Sequence, residues 1–234
     1  MRRATAALCA LTALGCAPAP VLERAFAARG GALDGFRREA EVRVYYGFPG
    51  LWRWEMAFLA PEHYRFTLIT DADPQHYVFD GAVGRSFVGT RLVTVDRSEA
   101  PALRSHARWM AITSLDVLAD SSRVTLAEFE PPGAVAGAAR ALRARFRDEP
   151  DVYELYFDRA GRLIGAEGPI SIPGLGAGRL RARFTDFRAV DGFVVPFATR
   201  YSLDGEPFFD ERVVRFVPND PALDAAGFER PPAR

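Results

Sequence analysis

The chain has 234 residues, with 30 basic and 30 acidic side chains that leave a formal net charge of zero. Every basic residue is Arg, and these are dispersed, which excludes the clustered positive footprint of a nucleic-acid-binding protein. Apolar residues make up 49% of the chain, 18 of them Phe, and so support a sizeable core.

The chain opens "MRRATAALCALTALGCAPAP". Arg2 and Arg3 form a positive n-region, and Ala4 to Gly15 is an apolar run too short to span a bilayer. This pattern predicts a secretory signal over residues 1–15. "ALGC" has the form of a lipobox, in which Cys16 is acylated and becomes the mature N-terminus. The other reading is ordinary cleavage after a small residue, which leaves Cys16 free or removes it. Cysteine arithmetic favours the lipobox. The chain has two Cys, and Cys9 leaves with the signal. An exported chain with one thiol cannot form an internal disulfide, and acylation accounts for that thiol. Two or more acyl chains anchor stably where one does not. Ala17 stands where inner-membrane retention would use Asp, so the outer membrane is favoured. Residues 16–20 are then a lipidated Cys and a Pro-Ala spacer. Residues 21–234 read as a single domain, with no internal repeat and no low-complexity tract.

"VLERAFAARGG" predicts a short amphipathic helix stopped by Gly30-Gly31. From Glu41 the period changes to two, with Val42, Val44 and Tyr46 on one side. "YYGFPGLWRWEMAF" reads as two strands about a Gly-Phe-Pro-Gly turn, and the turn carries Phe48, Leu51 and Trp52 where polar residues are usual. Trp52, Trp54, Met56 and Phe58 alternate with Arg53, Glu55 and Ala57; Tyr64, Phe66 and Leu68 alternate with Arg65 and Thr67. "QHYVFDG", "GRSFVG" and "RLVTV" are further short strands, so this half is an antiparallel meander.

"PALRSHARWMAITSLDVLAD" breaks the rhythm and predicts a helix over 101–120, with Leu103, Ala107, Met110, Ala111, Ser114, Leu115 and Leu118 on one face. Strands then resume. "ALRARFRD" sends Leu142, Ala144 and Phe146 one way and Arg143, Arg145 and Arg147 the other. "DVYELYFDRAGRLIGAEG" is a hairpin through Asp158–Gly161. "GPISIPGLGAG" reads as a flexible apolar loop, and three closing strands turn at Asp191-Gly192 and Asp204-Gly205. Strands with one Arg-rich and one apolar face must bury much apolar surface, either by closing into a barrel or by curling around the central helix.

Candidate chemistry is sparse. His63, His76 and His106 make no HxH or HExxH pair. Asp71, Asp73 and His76 could gather around a metal, but an ordinary polar turn accounts for them better. "GLGAG" does not join a strand to a helix in a βαβ unit, and no GxSxG occurs. No nucleophile is assembled with a base, so neither an enzyme nor a cofactor is expected. What remains is an apolar interior and two apolar loops, which suit a lipid carrier unless both loops fold back and cap the core.

Pro61, Tyr64, Arg65 and Phe66 ("P..YRF"), Tyr77–Gly81 ("YVFDG"), Asp191–Phe193 with Val195 and Pro196 ("DGF.VP"), and Phe228 with Pro231 ("F..P") carry a resemblance. Together with the leading helix, they resemble the outer-membrane lipoprotein-sorting superfamily of the periplasmic carrier LolA and the membrane-anchored acceptor LolB. The resemblance spans roughly the whole mature chain. It implies an antiparallel, strongly curved unclosed β-barrel with helices on its concave face, a cavity for acyl chains, and binding rather than catalysis. The acceptor members carry an apolar residue on a protruding hairpin, and the tip of Phe48, Leu51 and Trp52 is similar in kind.

The expectation is therefore a monomeric, lipid-anchored protein facing the periplasm that binds acyl chains or lipoproteins. Its cavity should be lined by Trp54, Met56, Phe66, Leu68, Leu142, Phe146, Leu180 and Phe184. The competing expectation is an interaction or sensory lipoprotein on the same fold, with side chains filling the concavity.

Overall fold

A computed structural model describes residues 20–93, 99–133 and 135–231; the signal segment and Cys16 lie outside the described residues. α1 (Pro20–Arg29) buries Val21, Leu22 and Ala25 on one face. It stops at Gly30, whose φ is +105°. A β-carbon there would fall 2.1 Å from the Gly192 carbonyl oxygen, so only glycine lets the helix end abut that turn.

Two blocks of strands follow. The first is β1 (Gly35–Val44), β2 (Gly50–Leu59), β3 (His63–Ile69), β4 (Gln75–Asp80), β5 (Gly84–Val88) and β6 (Arg91–Val93). The second is β7 (Val124–Phe129), β8 (Arg140–Phe146), β9 (Tyr153–Phe157), β10 (Leu163–Ile172), β11 (Gly176–Val190), β12 (Phe193–Leu203) and β13 (Glu206–Pro218). Each block is a meander of neighbours in sequence, and the β1–β13 ladder joins the two. Among the described residues the result is one antiparallel sheet of 13 strands that does not close, with β6 and β7 at its edges. The last two turns are the Asp-Gly hairpins expected. Asp191 and Gly192 have φ of 48° and 85°, and Asp204 and Gly205 of 51° and 92°, as a turn that matches the strand twist requires.

α2 (Glu99–Thr113) lies in the concave side of this sheet. It touches β3, β4 and β5 on one wing and β10 on the other, and so closes the core between them. Leu103, Ala107, Trp109, Met110, Ala111 and Ile112 are all buried. The Ser105 hydroxyl accepts from the Ser171 amide at 3.1 Å. β10 has outrun its partner β9 by that point, since their ladder ends at Glu167 and Glu154. The helix thus satisfies a backbone donor that no strand reaches.

The structure departs from the sequence expectations in five places. The helix predicted to run to Asp120 ends at Thr113; Leu115 turns left-handed at φ 70°, and a 3₁₀ turn covers Asp116–Ala119. The cause is tertiary. Asp116 accepts from the Leu33 amide at 3.0 Å and pairs with Arg29 at 2.8 Å, while Arg29 also reaches the Ser114 carbonyl. The apolar loop "GPISIPGLGAG" is instead the end of β10 and the start of β11 around a tight turn, with Ile170 and Ile172 buried. β1 begins six residues before the expected point, and β7 adds an edge strand to the second block. Finally, the convex face is not wet throughout. A 3₁₀ turn at Ala225–Phe228 covers it, burying Phe228 against Ala57, Val78 and Phe87. Arg65 donates to the Gly227 carbonyl there at 3.1 Å.

Candidate functional site

Between α2 and the concave sheet lies an apolar cavity of about 160 Å³. One wall is Trp54 and Met56 of β2 with Phe66 of β3; another is Ile170, Ile172 and Leu180 of β10 and β11. Leu103, Trp109 and Met110 of α2 face them, and Phe48 and Pro173 stand at the rim. The wall is held by ring contacts. The Trp54 ring meets Phe66 and Phe209 edge-on at 5.1 and 5.2 Å, and Tyr201 stacks on Phe209 at 4.1 Å. Such pairs add roughly 0.5–1.5 kcal/mol each beyond area burial, so this wall is stiff. A second apolar cavity of about 90 Å³ lies toward α1, lined by Leu33, Phe36, Phe184, Phe187 and Phe216. Arg38 and Met110 line both cavities and form the partition between them.

No protein-family model and no curated protein sequence matches the chain. Solved structures do. A LolA superfamily protein from Nitrosomonas europaea is similar with a TM-score of 0.60 at 14% identity, over 89% of this chain and 95% of the other. A domain described as an outer membrane lipoprotein-sorting protein, from Vibrio parahaemolyticus, is similar with a TM-score of 0.54 at 9% identity, over 89% and 94%. A DUF1329 family protein from Desulfovibrio piger is similar with a TM-score of 0.54 at 11% identity, over the same shares. The chain shares its fold with these proteins.

Within this LolA-like frame the residues expected to line one cavity divide into groups. Trp54, Met56, Phe66 and Leu180 surround the larger cavity. Phe184 lines the smaller one. Leu142 and Phe146 belong to the packed core and line neither cavity; both are fully buried. Leu68 stands half-buried opposite Trp54 on β3, also outside both linings. At the hairpin tip, Trp52 Nε1 donates to the Phe48 carbonyl at 3.1 Å, and the two rings meet edge-on at 6.1 Å. Phe48 is 44% exposed, and Leu51 76% exposed. Leu51 and Trp52 are adjacent on β2, so their side chains leave opposite faces of the sheet. The tip approaches the other wing: a β-carbon on Gly47 would lie 3.0 Å from the Leu175 side chain, and Phe48 lines the larger cavity together with Ile172 and Pro173. The two apolar segments singled out in the sequence therefore converge over the mouth of the larger cavity.

Sequence reasoning did not foresee a polar cluster inside the larger cavity. Arg38 pairs with Glu211 across the β1–β13 ladder at 3.2 Å. Trp54 Nε1 and the Tyr201 hydroxyl donate to the same carboxylate at 3.4 and 3.3 Å. Burial pulls the Arg38 guanidinium down, and Glu211 together with Tyr201 and Tyr64 outweighs it, for a net upward shift. Burial pushes the Tyr64 and Tyr201 phenols up, so both are neutral donors. His106 stacks on Tyr64 at 5.9 Å and shares a hydrogen bond with the Ala102 carbonyl through Nδ1. Its burial lowers its pKa and keeps the ring neutral. Among the described residues, no group of three or more His, Cys, Asp or Glu side chains could hold a metal ion. His76 instead bonds the Thr67 hydroxyl at 2.9 Å.

Proposed function

We propose that this protein is a lipid-anchored component of the bacterial cell envelope that binds acyl chains, free or on lipoproteins, in the cavity beneath α2. It acts in lipoprotein or lipid transfer toward the outer membrane. Acylation at Cys16 holds it at the periplasmic face, and the Phe48–Trp52 tip touches bilayer or cargo. It is a binding protein rather than an enzyme. One observation carries the reading: on a fold shared with LolA superfamily proteins, two apolar segments meet over an apolar cavity.

The test is lipid content. A Cys16→Ser chain purified without detergent should carry acyl-containing molecules detectable by mass spectrometry, and Phe66→Glu should lose them. A wild-type cavity free of acyl chains that also fails to bind a fluorescent acyl probe would remove the carrier function. A second reading has its own support. The cavity is about 160 Å³, below the roughly 300–1,000 Å³ of pockets that enclose a whole small ligand. On that reading the protein is a sensory or interaction lipoprotein whose concavity is filled by its own side chains. The same measurement separates the two.

A further inference from the structure

A cavity meant only for hydrocarbon has no use for a buried charge. This one contains two, and removing a charge from water is costly unless a partner compensates. Arg38 and Glu211 are served unequally. Glu211 has a fully buried side chain and receives two hydrogen bonds, from Trp54 and Tyr201, with Arg38 Nε 3.2 Å away as its counter-ion. The buried Arg38 Nε faces that carboxylate without making a hydrogen bond to it, and its Nη2 has the Met56 sulfur as acceptor at 3.4 Å. A thioether is a weak acceptor for a guanidinium, whose planar edge is shaped for a carboxylate or phosphate. The Tyr201 hydroxyl lies beside it, kept protonated by burial, with its hydrogen directed to Glu211. These groups stand at the partition between the two cavities, with apolar surface on either side.

We propose that the cavity takes an amphiphile with one apolar tail and an anionic head, the head bonded to Arg38 and the tail lying along Trp54, Met56 and Phe66 toward Phe48. This deepens the carrier reading and rests on it. A cavity of roughly 150 Å³ is filled by a molecule the size of benzene, so it receives only the head-proximal carbons of a single tail, and the rest of the tail must leave past Phe48. A head-group anion in this water-poor setting gains a charge-assisted, two-point contact that bulk water would weaken. Fatty-acid carboxylates and lysophospholipid phosphates both present that chemistry.

The experiment compares three probes of equal tail: oleate, oleoyl lysophosphatidic acid and neutral oleyl alcohol. Each is titrated below its aggregation concentration at mildly alkaline pH. Wild type should prefer at least one anionic probe over the alcohol by roughly tenfold or more, and the ratio of the two anions separates carboxylate from phosphate. Glu211→Gln keeps Arg38 and removes its competing carboxylate, and should increase that preference. Arg38→Met alone would leave Glu211 buried and unpaired, so the loss variant is Arg38→Met with Glu211→Gln. That double variant should bind all three probes alike. Equal wild-type affinity for anion and alcohol, or a preference that survives the double variant, overturns the anionic head while leaving the apolar carrier intact. Binding of none of the three ends both readings. If Arg38 and Glu211 only cross-link β1 and β13, the variants shift the melting temperature and leave the probe ratio unchanged.

Discussion

Removing the charge of Arg108 tests how α2 is held in the half-barrel. Arg108 is 3% exposed, near the middle of the helix. Its guanidinium meets Asp148 at 2.7 Å and Glu149 at 2.5 Å on the β8–β9 turn, and Glu62 at 3.6 Å on the β2–β3 turn. It also lies over the Phe146 ring at 4.6 Å. One side chain thus ties the helix to both wings of an open sheet. Breaking a fully buried pair costs about 3–5 kcal/mol. That figure must be discounted here. Asp148 is 69% exposed and Glu149 29% exposed, so both return to water, and Glu62 keeps Arg123 at 2.6 Å. We expect Arg108→Met, which preserves the apolar stem, to cost about 1–3 kcal/mol. For a domain of this size that lowers the melting temperature by roughly 2–4 °C per kcal/mol. Urea denaturation of both proteins, with the m-value checked for constancy, measures the difference. The pH dependence adds a second check. The bond from Arg108 holds the Asp148 carboxyl below its ordinary value. A depressed folded-state pKa stabilises the protein fully above the unfolded value, about 3.9, and the contribution is lost as pH falls through the folded value. The wild type should therefore lose more stability than Arg108→Met below that pH. Equal stability at neutral pH, or superimposable acid profiles, would show that packing alone seats the helix.

The remaining predictions address the anchor, the tip and the outer cover. Cys16→Ser should move the protein from the membrane fraction to the soluble periplasmic fraction; retention on membranes after a salt wash contradicts acylation at that residue. Leu51→Glu replaces a side chain that is 76% exposed. It should leave the melting temperature unchanged and weaken vesicle binding, whereas a lower melting temperature with normal vesicle binding would mark the tip as part of the core. Phe228→Ala removes a ring with no exposure from the convex face. It should cost about 3–5 kcal/mol in urea denaturation, and a loss under 1 kcal/mol would mean that the C-terminal turn is not needed to cover the sheet.

Much of the fold was legible because alternation in the strands is undisguised. Leu142, Ala144 and Phe146 against Arg143 and Arg145 fix a face, and the two Asp-Gly turns fix the register of β11 to β13. Alternation failed where a charged residue takes an inward position. Arg38 stands between Phe36 and Ala40, and Glu211 between Phe209 and Val213, so the alternation was read only from Glu41 and "FFDERV" passed as part of an ordinary closing strand. Either charge alone is uninformative. Their opposite signs become a signal once β1 and β13 are known to pair, and that pairing joins strands about 170 residues apart by position. The cavity list failed for a related reason. Leu142 and Phe146 point inward as read, but both are packed into the core, Phe146 beneath Arg108 of α2. An inward direction does not separate core from cavity, because that distinction depends on where the helix ends.

The helix is also the reason the cavity has a definite place to grow. Near its C-terminus Arg29 grips Asp116 and the Ser114 carbonyl, at its middle Arg108 holds both wings, and Ser105 bonds β10. Lifting α2 would break these together, and the Arg108 ties alone cost about 1–3 kcal/mol. At the mouth the two wings are joined by Leu175 against the tip at Gly47. Leu175 is only partly buried, so losing that contact forfeits less than the roughly 1.5–3 kcal/mol of a fully buried Leu. The tip itself stays whole during such a movement, because Trp52 and Phe48 hold each other. Widening at the mouth therefore costs least, and it places Phe48 and Pro173 on either side of an entering chain. On the proposed carrier function, a ligand arriving there would pass along Phe66, Trp54 and Met56 before meeting Arg38. The apolar tip and the buried charge are in this sense the two ends of one path.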